Sequence, residues 1–248
     1  MDQFRVFRAI GMSFKAWFAN FIPFTILAGV LYAPVIIWVV GLPGSSAGEG
    51  GEDAYLKFFE RGTYVLVGLS TLLAPMITQR VIQYLNGQKS SMLTSIKYGM
   101  RGILPALILA GVTNIVQLAP FGGILGAIIT CYWFVAAPAA VVENLNPVTA
   151  LSRSATLTQG RRWPIFGLCI MVTLIIIGVA LIWAVPMLSK HDQSPSELLS
   201  SLKQMSIMLV VTICVFQLFT GIVQAVSYSL LRGDKDGVSN DELAKVFE

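Results

Sequence analysis

Charge is scarce in this chain. Charged residues make up 12% of its 248 positions and hydrophobic residues 55%, whereas a soluble domain carries about 25% charged residues. So little polar surface cannot coat a water-soluble fold, and the mean hydropathy of +0.73 agrees. Histidine occurs once, at His191. With no second histidine and no ordered acidic cluster beside it, His191 with Asp192 reads as part of a solvated loop, neither a metal site nor an acid–base pair. Cysteine is sparse too. Cys131, Cys169 and Cys214 lie inside apolar runs and form no CxxC pair, so they read as small packing residues. The glycine-rich stretch GLPGSSAGEGGED at 41–53 lacks a GxxxxGK pattern and is a flexible outer loop, not a phosphate cradle. The net charge of +4 is spread over connectors with no basic run, which argues against a nucleic-acid partner. No metal and no cofactor is expected.

What the chain has in abundance is long apolar runs. A membrane span needs roughly 20 such residues, and six stretches meet or approach that: 21–40, 62–82, 103–119, 121–142, 164–188 and 205–231. The expected fold is therefore an all-α integral membrane protein, a single polytopic domain over 1–248 with six transmembrane helices. Thirteen of the 17 Lys and Arg side chains fall on one side if both termini are inside, and four, Lys57, Arg61, Lys190 and Lys203, fall on the other. Positive charge on short loops marks the cytoplasmic face, so both termini are expected there. The first run is 20 residues long, beyond the roughly 7–15 of a signal peptide, and reads as a retained anchor. No run carries Asp, Glu, Lys or Arg at its centre, which disfavours proton-coupled pumping.

One polar island interrupts these runs: ENLNPVTALSRSATLTQGRRWPIF, residues 143–166. Asn146 suits a helix N-cap, Pro147 the first helical position and Gly160 a left-handed C-terminus. Glu143 is a candidate ion-pair partner for Arg153 or Arg161. Arg153, Arg161 and Arg162 form a candidate basic shelf at the depth of lipid phosphates, with Trp163 at the interface. Upstream of the first run, Phe7, Ile10, Phe14, Trp17, Phe18 and Phe21 recur at helical spacing opposite Arg5, Arg8 and Lys15, which suits an amphipathic helix in the inner interface. Ala9, Ile10, Ser13 and Pro23 match Ala150, Leu151, Ser154 and Pro164 at a constant offset, and SMLTSIKYGMRGILP at 91–105 repeats the order in shorter form. That hints at three units, each an interfacial helix followed by a two-span hairpin.

The island, with ALSRSATLTQGRRWPIF following an apolar helix that ends at Glu143, resembles the signature region of the membrane domain associated with bacterial glycerophosphodiester phosphodiesterases and of related stand-alone multi-span proteins. The likeness covers about residues 130–180. It implies a helical protein of the bacterial inner membrane. The enzymatic part of those phosphodiesterases is a soluble barrel with paired His, acidic residues and a divalent metal, for which this chain has neither the length nor the residues.

Polar residues inside the runs complete the candidates. Gln217, Thr220, Gln224 and Ser227 form one stripe on a helix, and Thr113, Asn114 and Gln117 a smaller face on the third run. Interhelical hydrogen bonding is the favoured reading of both, a hydrated solute path the alternative. Gly122 with Gly126, and Ala136 with Ala140, are spaced by four and mark the fourth run as a closely packed, central helix. The leading functional expectation is a non-enzymatic protein that binds anionic membrane lipid, a protein partner or a second copy of itself, in envelope maintenance or assembly. A small-solute or lipid transporter or channel using the stripe is second, and a lipid enzyme last.

Overall fold

The computed structural model describes residues 6–42, 51–88, 96–97, 99–100, 103–104, 106–108, 122–188 and 195–237, and among these the chain is helices and short turns with no strand. Helix α1 (Val6–Ala19) meets α2 (Phe21–Val40) at Asn20. Helix α3 (Gly51–Lys57) runs through a π-helical turn, Phe58–Gly62, into α4 (Thr63–Leu85). Then follow α5 (Gly122–Trp133), α6 (Ala136–Glu143), α7 (Pro147–Thr158), α8 (Arg162–Leu188) and α9 (Pro195–Asp236).

Four stretches are long and apolar enough to cross a membrane: Phe21–Val40, Gly126–Glu143, Arg162–Ile182 and Leu199–Asp236. This is a helical membrane protein. The expected run at 62–82 is helical within α4, yet it is not one of the four, because the last turns of α4 carry Thr78, Gln79, Arg80 and Gln83, buried or half-buried against protein. The run at 103–119 lies largely outside the described residues, as do Thr113, Asn114 and Gln117. The run at 121–142 is not one continuous helix. It breaks at Phe134 and Val135. Pro138 supplies the reason, since it has no N–H for the carbonyl of Phe134 and its ring crowds that oxygen. The shorter α6 is buried from Ala136 to Val142, so the fourth run is central in its second half.

Helix α9 is the spine. At 42 residues it is about 63 Å long, at 1.5 Å per residue. One core packs its middle against α2 and α4 through Phe24, Tyr32, Leu73, Ile77, Leu218 and Ile222. A second packs its C-terminal part against α1, α6, α7 and α8 through Ile10, Val142, Leu157, Ile165, Val223 and Leu231. The crossing with α4 is close enough to need a glycine: a Cβ on Gly221 would lie 2.6 Å from Ile77 Cδ1 and 3.1 Å from Ala74 Cα. At the other end, Lys203 Nζ donates to the carbonyls of Val40 at 2.9 Å and Leu42 at 3.2 Å. The ammonium thus satisfies orphan carbonyls at the C-terminus of α2.

The aromatic row on α1 is divided. Ile10 is buried and Phe14 and Trp17 pack on Phe219, with ring centroids 4.8 and 5.6 Å apart. Phe7 and Phe18 instead point outward, 79% and 69% exposed. Small residues, Ala9, Ser13 and Ala16, form the rest of the inward face. Asn20 joins α1 to α4: its side-chain N–H donates to Ala16 O at 3.1 Å, and its Oδ1 accepts Arg80 Nε at 3.0 Å.

Candidate functional site

The polar island is α7 with its two flanking turns. The Asn146 side chain accepts the N–H of Thr149 at 3.0 Å, and Pro147 occupies the first turn. After α7 the chain turns through Gly160, whose φ of 81° suits a residue without Cβ, and the N–H of Arg161 returns to Thr158 O at 2.9 Å. Helix α7 buries Ala150, Ser154, Leu157 and Thr158. Two of those are polar for a reason. Ser154 Oγ accepts the N–H of Val135 at 3.2 Å and donates to Tyr132 O at 3.0 Å, and Thr158 Oγ1 donates to the same carbonyl at 3.3 Å. Two of the backbone groups where α5 and α6 part, Val135 N–H and Tyr132 O, are therefore satisfied by the island.

The island's charges fall into two groups. Arg153 Nε is 3.0 Å from Glu143 Oε2, and Arg153 Nη2 also bonds Asp236 Oδ2 at the end of α9. Arg232 Nε lies 3.7 Å from Glu143 Oε1 and 3.6 Å from Asp236 Oδ2. Arg232 Nη1 donates to Tyr228 Oη at 2.9 Å, and Tyr228 Oη donates to Glu143 Oε1 at 2.8 Å. Two cations, two carboxylates and a phenol thus fasten α6 and α7 to the last turns of α9. Burial alone would lower the Arg153 pKa; its hydrogen bonds and charge interactions with Asp236 and Glu143 outweigh that and raise it. Arg161 joins the same fastening, 3.6 Å from Asp234.

Arg162 stands apart. Its guanidinium carbon lies 3.6 Å above the centre of the Tyr132 ring, and its Nη1 donates to Tyr132 Oη at 2.8 Å. It has no acidic partner among the described residues, and its buried Nε has no hydrogen-bond partner there. Trp163 beside it is 83% exposed. Together with Ile128, Cys131, Tyr132 and Phe166 they line a laterally open pocket of about 310 Å3 between α5 and α8. Of the three arginines of the expected shelf, Arg153 has the expected partner Glu143 and also Asp236, Arg161 lies near Asp234, and Arg162 lies in the wall of the pocket.

The intramembrane stripe is partly as its spacing suggests. Gln217, Thr220 and Gln224 are half-buried and Ser227 is buried. The expected interhelical hydrogen bonds are not found at Thr220 Oγ1 and Ser227 Oγ, which are buried without a partner among the described residues. Asn114 and Gln117 lie outside those residues. Among the described residues no group of three or more His, Cys, Asp or Glu could hold a metal. Reading the sequence missed Tyr132, Tyr228, Arg232, Asp234 and Asp236. The one available signal was the LRGDKD ending of α9, where Arg232 and Asp236 are four apart on a helix. No family model, curated protein or solved structure matches the chain.

Proposed function

We propose that this chain is a non-enzymatic protein of the bacterial inner membrane with six spans and cytoplasmic termini, which binds anionic membrane lipid and serves envelope maintenance or assembly. The observation that carries the reading is Arg162: it has no carboxylate partner among the described residues, stacks on Tyr132 beside the exposed Trp163, and opens into an apolar pocket. With Nε buried and Nη1 donating to Tyr132, Nη2 is the nitrogen left for a phosphate oxygen. An indole at the same level suits the lipid interface. The asymmetry of Lys and Arg over the connectors supports the orientation.

Native mass spectrometry of the purified protein tests the lipid part. Arg162→Gln should lower co-purified phosphatidylglycerol about tenfold, the effect of one lost charge-assisted bond, with Arg162→Lys in between. Equal retention in all three proteins would remove the lipid reading. Orientation is tested separately. A cysteine at the exposed Ser152 should resist a membrane-impermeant thiol reagent in intact cells, and one at the exposed Asp53 should react; the reverse pattern inverts the topology.

A further inference from the structure

Phe166 is a wall of the pocket at Arg162. Phe166 also lines a second cavity of about 300 Å3, whose walls include Ala127 and Thr130 of α5 and Cys169, Ile170 and Leu174 of α8. The two cavities follow one another along the same pair of helices with the Phe166 ring between them, and together they mark a lateral groove of α5 and α8. Arg162 and Tyr132 stand at one end, and from there every wall residue is apolar or small except Thr130 and Thr173. The Thr130 hydroxyl is turned back onto its own helix, donating to Gly126 O at 2.8 Å. The outer rim is exposed hydrocarbon: Ile128, Ile170 and Leu174.

We infer that this groove holds one acyl chain of an intact anionic glycerophospholipid whose phosphate meets Arg162. The inference rests on the lipid reading above and adds to it the tail. Length decides for a tail over a bare headgroup or a short organic anion. From Arg162 to Leu174 is 12 residues (174 − 162), about 18 Å of helix, while one leaflet of a 30 Å hydrocarbon core is about 15 Å thick. A chain that starts at the phosphate level beside Trp163 runs the depth of one leaflet along the groove. Charge complementarity selects the headgroup. Arg162 pairs with the neutral Tyr132 and with no carboxylate among the described residues, so its positive charge favours a lipid of net negative charge over a zwitterionic one.

The test uses the whole chain in nanodiscs containing phosphatidylglycerol with a photoreactive diazirine midway along one acyl chain. Crosslinks should concentrate on peptides of α5 and α8 around Ala127, Thr130 and Ile170. Labelling spread evenly over the lipid faces of α2, α8 and α9 overturns the groove. Ala127→Phe, which fills its deeper half, should lower retention of dioleoyl phosphatidylglycerol about fivefold and leave binding of soluble glycerol 1-phosphate unchanged. Unchanged retention in that variant also overturns it. If Ala127→Phe does not fold, the crosslinking of the unaltered chain decides alone. The two readings fail separately. Focused crosslinks that survive Arg162→Gln undiminished remove the phosphate contact and keep the tail groove, whereas retention that needs Arg162 but shows dispersed crosslinks keeps the phosphate contact and removes the groove.

Discussion

Helices α8 and α9 are both long, apolar and neighbours, yet they are held in opposite ways. Helix α9 is buried on several sides and tied by polar groups at both ends. Helix α8 is anchored in its N-terminal part, through Ile165, Leu168 and Val172, and beyond Val172 none of its described residues is buried. Hydrophobicity does not account for the difference, because α8 contains the most apolar of the four candidate spans. In lipid an exposed Leu costs nothing. Packing must come from close approach and from polar ties. Helix α9 has Gly221 against Ala74 and a set of ion pairs, while the outer part of α8 offers Leu174, Ile175, Ile177 and Ile182.

The comparison is broken most severely at Gly221. Gly221→Leu places four carbons where one already clashes with Ile77 and Ala74, and should destabilise the protein by about 3 kcal/mol, the upper range for overpacking. Thermal unfolding in detergent reads this as a lower midpoint. An unchanged midpoint would mean that the close crossing of α4 and α9 is not needed.

Next comes Glu143→Gln, which leaves Arg153 and Arg232 without their shared carboxylate. These side chains are about one-sixth to one-quarter exposed, so the loss should be about 1–2 kcal/mol after allowing for solvent screening. A double-mutant cycle with Arg153→Gln should show coupling of about half that or more; additive losses would deny the network. The pH sign follows from Arg153. Its folded pKa is raised, so its contribution is fully present below the unfolded value and is lost only as pH rises through the folded one. Stability between about pH 6 and 9 should carry no slope from this residue.

Ser154→Ala should cost about 1 kcal/mol, because Val135 N–H and Tyr132 O lose a buried partner. Faster amide exchange at Val135, with the rest of α6 protected, is the readout, and unchanged exchange would mean that the break is stable without the island. Gly178→Ala is the control on α8, where an added Cβ meets nothing within 4 Å. It should shift stability by no more than about 0.5 kcal/mol.

Much of this could be read from the residues and some could not. The ends of α7 follow from Asn146, Pro147 and Gly160, because caps and turns are decided within four residues. The apolar runs follow from the length that lipid demands. The break before α6 was hidden, although Pro138 was in view, because a proline in an apolar run ends a helix only if something else satisfies the released backbone. At this break Val135 N–H and Tyr132 O are met by Ser154, about twenty residues on. The three arginines of the island look alike in sequence for the same reason: Asp234 and Asp236, which occupy two of them, arrive from a helix seventy to eighty residues away.

Lys203 and Asp236 hold α9 at points 33 residues apart (236 − 203), a rigid baseline of about 50 Å. A rod fixed at two distant points can neither slide along its axis nor roll, and α2 and α4 packed on it inherit that immobility. Among the described residues helix α8 has no second tie of that kind: its buried contacts are Ile165, Leu168 and Val172, all in the half nearer Arg162.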